Sequence, residues 1–252
     1  MPDPYSVQAS QAPWHIATSG WHYSHWRGNF YPLELAPADW LAFYAQTFSS
    51  VEVNNTFYRL PSVQTVQSWA QQTPPDFIFA VKASRLLTHM KKLRDCAKAL
   101  ARFLSVVEYF GGKLGPILFQ LPPNWQIDCP RLESFLKVLP VEHRYAFEFR
   151  HASWHCQQVY ELLSQHDIAF CQYELAGYVT DDIVTTDFAY VRLHGPNGAY
   201  GGNYSDTALR RWAARLHAWQ PRLTTSYLYF DNDEAGYAVK NARRLLHLCQ
   251  GS

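Results

Sequence analysis

The sequence predicts a TIM-barrel-like (β/α)8 fold, a barrel of eight parallel strands that alternate with helices. Short segments rich in β-branched and aromatic residues alternate with helical segments about eight times along the chain, which is typical of a parallel α/β fold. The length of 252 residues is common for a single barrel of this kind. A doubly wound sheet is the alternative, but the G-x-G-x-x-G turn that usually follows its first strand is absent.

Each predicted strand is short and is followed by a helical pattern in most cases. The predicted strands are His15–Trp21, Ser50–Asn54, Phe77–Ala83, Gly115–Leu121, Tyr145–Arg150, Ile168–Tyr173, Ala189–His194 and Tyr227–Asp231. The predicted helices are Pro37–Phe48, Ser62–Gln71, Asp95–Phe110, Arg131–Leu139, His155–Gln165, Asp206–Trp219 and Glu234–Leu248. No amphipathic pattern separates Tyr173 from Ala189, so the sixth helix is predicted to be missing or vestigial.

The chain is predicted to form one domain, because no linker rich in Pro, Gly or Ser divides it. We expect the barrel to span residues 14–252 and residues 1–13 to form a loose N-terminal tail. This tail lacks the features of a signal peptide, and no segment approaches the ~20 apolar residues of a membrane helix. The five cysteines include no C-x-x-C pair. These observations predict a soluble, cytoplasmic protein with reduced thiols and no membrane partner.

Near the ends of the predicted strands, polar residues recur at every second position, which is here called the inward parity. Residues two apart in a strand share a face, and ligand sites of such barrels lie at the C-terminal ends of the strands. The residues at this parity are Glu52, Asn54, Lys82, Gln120, Glu148, Arg150, Arg192, His194 and Asp231. Buried charges are costly unless they are paired, so we expect an interlocked network at the barrel mouth.

This network predicts an enzyme, or a former enzyme, that binds a small polar or anionic ligand such as a sugar or a phosphorylated compound. Glu52 and Glu148 are the predicted acid/base pair of a hydrolase-like reaction. His194 is a candidate proton carrier and Asp231 is a further catalytic acid. The candidate ligand-binding residues are Trp21, Asn54, Tyr58, Lys82, Gln120, Arg150, Arg192, Gly201, Gly202 and Ser205. A purely structural polar plug is the alternative interpretation of the same residues.

A glycine-rich loop between His194 and Asp206 contributes the last three of these candidates. It contains Gly201 and Gly202 and leads into a helix for which Ser205 or Asp206 is the predicted N-cap. Free backbone N–H groups at a helix start bind phosphate in many barrels. A turn-rich loop without a ligand is an equally weighted interpretation.

Two other functions stay open at the level of sequence. In a metal-dependent isomerase or nuclease, the side chains of Glu52, Glu148, His194 and Asp231 would bind a divalent ion. The neighbouring cations count against such a metal, and no cofactor is predicted otherwise. The chain could also be a non-catalytic module that binds nucleic acid or protein, but a net charge of +1 disfavours nucleic acid. The sequence does not predict the oligomeric state.

Several segments, in order from about residue 15 to 248, resemble the YecE-like family, catalogued as domain of unknown function seventy-two. They are T-S-G-W-H-Y-S-H-W-R-G-N-F-Y-P (Thr18–Pro32), V-E-V-N-N-T-F-Y-R-L-P (Val51–Pro61), F-A-V-K (Phe79–Lys82), L-G-P-I-L-F-Q-L-P-P (Leu114–Pro123), E-F-R-H-A-S-W (Glu148–Trp154), Y-V-R-L-H-G (Tyr190–Gly195) and Y-L-Y-F-D-N-D (Tyr227–Asp233). The resemblance implies a TIM-barrel-like fold and supplies no activity. The family often has Pro where Ala152 stands and Asn where Asp231 stands.

Overall fold

Eight parallel strands form the wall of a nearly closed barrel in the computed structural model, which describes residues 13–250. A ninth, short strand, β7 (Tyr178–Val179), is antiparallel and lies outside this wall. In chain order the nine described strands are β1 (Trp14–Thr18), β2 (Ser50–Val53), β3 (Ile78–Lys82), β4 (Leu114–Leu121), β5 (Tyr145–Phe149), β6 (Ala169–Leu175), β7 (Tyr178–Val179), β8 (Phe188–Leu193) and β9 (Thr225–Phe230). Around the wall they are ordered β1-β9-β8-β6-β5-β4-β3-β2, and β7 pairs only with β6. A parallel bridge between Ser19 and Glu52 joins the two ends of this order. The predicted TIM-barrel-like fold is confirmed.

Helices follow most of the strands, at bounds close to those predicted. They are α1 (Trp40–Tyr44), α2 (Asn55–Tyr58), α3 (Val63–Gln71), α4 (Ala97–Val107), α5 (Cys129–Leu136), α6 (Gln157–Gln165), α7 (Asp206–Trp219) and α8 (Tyr237–Gln250). Side-chain caps explain where several begin, since Ser62, Asp128 and Ser205 each accept a hydrogen bond from the first turn. None of the described helices is both long enough and apolar enough to cross a membrane.

Two predicted connections between strands differ in how well they match the structure. The helix predicted at Pro37–Phe48 is shorter than expected, because it consists of a 3-10 turn at Pro37–Asp39 followed by the five residues of α1. The short α2 was not predicted. Between β6 and β8 the chain makes an antiparallel hairpin with β7 and no helix, so the missing sixth helix is confirmed.

The two faces of the strands have different chemistry, as the parity of the sequence indicated. On the outer face, Phe119 and Phe147 contact Phe135 of α5, with ring centroids 5.2 and 6.3 Å away. The inner face carries the polar residues, and Arg192 of β8 reaches Glu52 of β2 across the barrel. The apolar core therefore lies between strands and helices, and the charged groups lie inside the barrel.

The predicted N-terminal tail lies almost wholly outside the described residues, which begin at residue 13. Pro13 itself is held by the barrel. Its carbonyl oxygen accepts hydrogen bonds from the Ser226 backbone N–H at 3.1 Å and from the Thr225 hydroxyl at 3.0 Å.

Candidate functional site

The guanidinium of Arg192 lies at the centre of the barrel mouth and contacts three carboxylates. Its Nη2 is 2.8 Å from Glu52 Oε1 and 3.0 Å from Asp231 Oδ2. Its Nη1 is 2.9 Å from Glu148 Oε2. Arg192, Glu52 and Glu148 have no solvent exposure. The predicted network therefore exists, and it joins residues carried by or directly following β2, β5, β8 and β9.

Glu52 is bound on both of its carboxylate oxygens. The Tyr190 hydroxyl donates to Oε2 at 2.7 Å, while Arg192 and the Ser19 hydroxyl donate to Oε1. Burial and the nearby Glu52 charge raise the pKa of Tyr190 well above its usual value, so its hydroxyl stays a donor. The amide of Asn54 donates in turn to Ser19 Oγ. Glu52 is thus a counter-ion in a closed set of hydrogen bonds.

Glu148 lies between two guanidinium groups. Arg150 Nε donates to its Oε1, and Arg192 donates to its Oε2. Burial alone would raise the pKa of Glu148, but Arg150 and Arg192 together hold it well below its usual value. Glu148 therefore keeps its negative charge at neutral pH.

Both ring nitrogens of His194 have polar partners. Its Nε2 lies 2.8 Å from Arg150 Nη2 and 3.3 Å from Glu148 Oε1. Its Nδ1 lies 3.0 Å from Asp231 Oδ2. His194 is fully buried, whereas the Asp231 side chain is 16% exposed. Burial opposes ionisation of Asp231, but Arg192 and His194 lower its pKa below the usual value.

Lys82 sits on the same mouth and differs from both arginines. No carboxylate within residues 13–250 lies at salt-bridge distance from its Nζ, which instead lies 4.5 Å from the centroid of the Phe57 ring. Burial and the positive charge of Arg192 lower the pKa of Lys82 to about 8, although Glu148, Glu52 and Asp231 oppose this shift. The side chain is partly exposed. It is the cation of this mouth whose charge is least compensated.

A cavity of about 450 Å³ opens beside Arg150 and Gln120. Its wall also includes Tyr173, Tyr178 and Tyr200. The Arg150 guanidinium packs over the Tyr173 ring, 5.1 Å from its centroid. Gln120 and Arg150, two predicted ligand-binding residues, therefore share one cavity with three tyrosines.

Trp21 and Asn54 line a second cavity, of about 560 Å³, on the other side of the network. Trp21 is 7% exposed, and its ring meets Trp69 edge to face at 5.1 Å. Trp26 and Tyr31 of the same loop are almost fully buried. Most of the aromatic first loop therefore packs into the protein. Asn54 and Tyr23, which both line this cavity, link it to the charged network through Ser19.

The remaining predicted ligand-binding residues lie away from Arg192. Tyr58 is 72% exposed at the end of α2. The Gly202 backbone N–H donates to Glu234 Oε2 at 3.1 Å, and Ser205 Oγ accepts from the Ala208 N–H at 3.2 Å. A Cβ built on Gly201 would lie 2.7 Å from the same Glu234 oxygen. Glu234 and the helix cap thus use the Gly202 N–H and the Ser205 hydroxyl, while Ser205 also lines a cavity with Arg211 and Arg215. Phosphate binding by this loop stays a prediction.

The proposed metal ligands do not converge on an empty centre. Within residues 13–250 no three His, Cys, Asp or Glu side chains have an arrangement that could hold a metal ion. The guanidinium of Arg192 lies among Glu52, Glu148 and Asp231, where a divalent ion would need to be. Three of the four proposed metal ligands are therefore already paired with Arg192.

Ser19 and Tyr173 were missed by the sequence reasoning. Both lie at the inward parity, after β1 and on β6, so the alternation used for the other strands would have found them. Tyr200, which meets the His194 ring edge to face at 5.5 Å, comes from the glycine-rich loop. No period of the sequence indicates its position.

Comparisons with known proteins agree with this architecture. The family model described as "Protein of unknown function DUF72" matches residues 15–252. UPF0759 protein YunF of Bacillus subtilis is 26% identical over 93% of this chain and 94% of its own length. UPF0759 protein YecE of Escherichia coli is 36% identical, but the match covers only 43% of this chain and 40% of that protein.

Two solved structures have the same fold over almost the whole chain. A DUF72 family protein of Thermotoga maritima matches with a TM-score of 0.83 and 29% identity, over 94% of this chain and 99% of that one. A DUF72 family protein of Enterococcus faecalis matches with a TM-score of 0.81 and 15% identity, over 95% and 96%. With its barrel, its charged mouth and a family match from residue 15 to the last residue, the chain belongs to the DUF72 family of proteins of unknown function.

Proposed function

We propose that the protein is an enzyme that binds a small polar, anionic ligand at the C-terminal mouth of the barrel, beside Arg150. The position of the Arg150 guanidinium carries this proposal. Glu148 and His194 fix its Nε and Nη2, while Nη1 has no hydrogen-bond partner within residues 13–250. A guanidinium that is held rigidly and open along one edge is pre-organised for a carboxylate or phosphate group.

The surroundings of Arg150 support a ligand of small-molecule size. The cavity of about 450 Å³ falls within the range usual for small-molecule sites. Gln120 offers an amide, and Tyr173 and Tyr200 offer rings and hydroxyls on which a sugar-like or other polar body can lie. The ligand we propose therefore has one anionic group and a polar body.

Glu52 and Glu148 act in this proposal as fixed counter-ions of Arg192, and not as the acid/base pair of a hydrolase. A general acid must carry a proton near neutral pH. The arginines keep the pKa of Glu148 well below that range, and both oxygens of Glu52 are bound. The mouth residues that retain solvent contact, Asp231 and Lys82, are better placed to meet the reacting atoms of a ligand.

The proposal is tested by calorimetric titration with three anionic probes, namely inorganic phosphate, glucose 6-phosphate and glyoxylate, with neutral glucose for comparison. At least one anion should bind more tightly than glucose. Arg150→Gln should weaken that binding by about 10- to 100-fold, the equivalent of one charge-assisted hydrogen bond of ~1.5–3 kcal/mol.

Arg102→Gln is the matched control, because Arg102 is exposed on α4 and lines neither the cavity beside Arg150 nor the charged network. Its affinity for the same probes should equal that of the wild type. The proposed anion site would be ruled out if both variants lost the same affinity, or if the wild-type protein bound no anion. Circular dichroism of each variant checks that the barrel is intact.

A further inference from the structure

Among the residues that the structure describes, Lys82 has no ion pair, although its mouth contains three carboxylates. Arg192 holds Glu52, Glu148 and Asp231, and none of them lies at salt-bridge distance from Lys82 Nζ. A lysine whose role was to balance charge would be expected to contact one of these acids. Its amine instead lies over the face of Phe57, and the side chain keeps partial contact with solvent.

The environment of Lys82 favours a neutral amine near the upper end of the physiological pH range. Burial is the main cause of its lowered pKa of about 8, and Arg192 adds to the shift. Glu148, Glu52 and Asp231 act in the opposite direction. On the neighbouring segment, the pKa of His89 is lowered by burial and by the charges of Lys82 and Arg85. Desolvation next to a second cation is how lysines are activated as nucleophiles.

Lys82 and Arg150 lie on the inner face of the barrel, on either side of β4. Lys82 ends β3 and Arg150 follows β5, with Gln120 of β4 between them. Lys82 pairs with Leu118, which pairs with Ala146, so Arg150 lies two strands across, about 10 Å, and four residues further along, about 13 Å. The two backbones are therefore roughly 16 Å apart, and the Arg150 side chain is bonded to Glu148, two residues nearer the level of Lys82. All three side chains have the inward parity, so a ligand anchored at Arg150 can extend past Gln120 towards the amine.

We propose that Lys82 is an amine nucleophile that forms an imine with a small aldehyde or ketone whose anionic group is bound by Arg150. The neutral amine nitrogen attacks the carbonyl carbon, and a C–N bond forms. After two proton transfers the carbonyl oxygen leaves as water and the C=N bond remains, with no change of oxidation state. The inference rests on the proposed function for the anion and adds the substrate class, a carbonyl compound with a carboxylate or phosphate group.

Reductive trapping tests this on the wild-type protein. The protein is incubated with glyoxylate near pH 8 and sodium cyanoborohydride is added, so that hydride reduces the C=N bond to a stable carboxymethyl-lysine. At that pH about half of Lys82 is neutral, against on the order of 0.3% for a lysine with the ordinary pKa of 10.5. We expect the Lys82 peptide to be modified about tenfold or more faster than those of the exposed Lys98 and Lys137. Equal rates at the three lysines would overturn the inference.

Lys82→Arg keeps the positive charge and removes the nucleophile. In that variant the rate of modification at Lys98 and Lys137 should be unchanged, and the fast site should be lost. A fast site that persists in Lys82→Arg would contradict the assignment. Because peptide mapping of the wild type already decides between the outcomes, the inference stays testable even if the variant folds poorly.

Arg150→Gln separates failure of the inference from failure of the proposed anion site. If trapping at Lys82 is fast and Arg150→Gln slows it about tenfold, both the imine at Lys82 and the anion site at Arg150 are supported. Glyoxylate binding that depends on Arg150 without fast trapping at Lys82 overturns the imine and leaves the anion site. If trapping at Lys82 is fast in the wild type and equally fast in Arg150→Gln, Lys82 forms the imine but the substrate needs no anionic group bound by Arg150.

Discussion

Arg192 and Lys82 are two cations of the same barrel mouth with opposite surroundings. Arg192 is fully buried and contacts three carboxylates within 3.0 Å, whereas Lys82 is partly exposed and faces an aromatic ring. The charges around Arg192 raise its pKa well above the usual value, and burial lowers that of Lys82 to about 8. Within the described residues, the acids of the mouth are therefore bound to Arg192, and none of them lies at salt-bridge distance from Lys82.

Arg192→Met gives the largest expected effect, because it leaves Glu52, Glu148 and Asp231 close together without their common cation. Removing one partner of a buried ion pair lowers the free energy of unfolding by about 3–5 kcal/mol, and here three acids lose the same partner. Urea unfolding at neutral pH should show a loss of at least about 3 kcal/mol in the free energy of unfolding, or no folded protein at all.

Arg210→Met is its control, since the Arg210 side chain is 62% exposed in a pair with Asp206 on the surface. The change there should be small. A loss at Arg192 no larger than that at Arg210 would show that the central network does not hold the barrel together.

Glu148→Gln should have an intermediate effect that depends on pH. Folding lowers the pKa of Glu148 from the usual 4.5, so the charged carboxylate stabilises the folded state above about pH 4.5, and this stabilisation is lost as the pH falls through the folded-state pKa. We expect the variant to lose about 2–4 kcal/mol at neutral pH.

The difference between Glu148→Gln and the wild type should shrink as the pH falls from about 4.5 towards the lower folded-state pKa. In this range the carboxyl of the unfolded wild-type chain takes up a proton, which folding must then release. Urea unfolding of both proteins from neutral pH into acid measures this difference. Glu133→Gln, on an exposed residue paired with Lys137, is the control and should change little. A difference that stays constant with pH would assign the loss to packing and not to charge.

Lys82→Met should have the smallest effect on stability, and it sharpens the contrast with Arg192→Met. No carboxylate of the described mouth loses an ion pair, and an apolar chain fits beside Phe57 without the cost of burying an ammonium. The free energy of unfolding should change by less than about 1 kcal/mol, or rise. A loss as large as that of Arg192→Met would mean that Lys82 is a structural member of the network.

Much of the fold and part of the site follow from local patterns in the sequence. The two-residue period places Glu52, Glu148, Arg192 and Asp231 on inward faces, and a barrel must bring inward faces together. The same reasoning does not extend to Tyr58 and the glycine-rich loop, since exposure and the contact of Gly202 with Glu234 depend on where distant segments meet. The predicted role of Trp21 as a ligand contact stays a prediction, since its ring packs edge to face on Trp69 of α3 and also lines the second cavity.

The sequence by itself determined the alternation of strands and helices, the lost sixth helix and the ring of charged side chains at the mouth. These follow from periods of a few residues, which are properties of the local backbone. Only the tertiary structure decided which charges are paired, because distances of a few ångströms across the barrel set whether a carboxylate meets Arg192 or Lys82. For that reason the sequence ranked Glu52 and Glu148 as the reactive groups, and the structure directs attention to Lys82 and the open edge of Arg150.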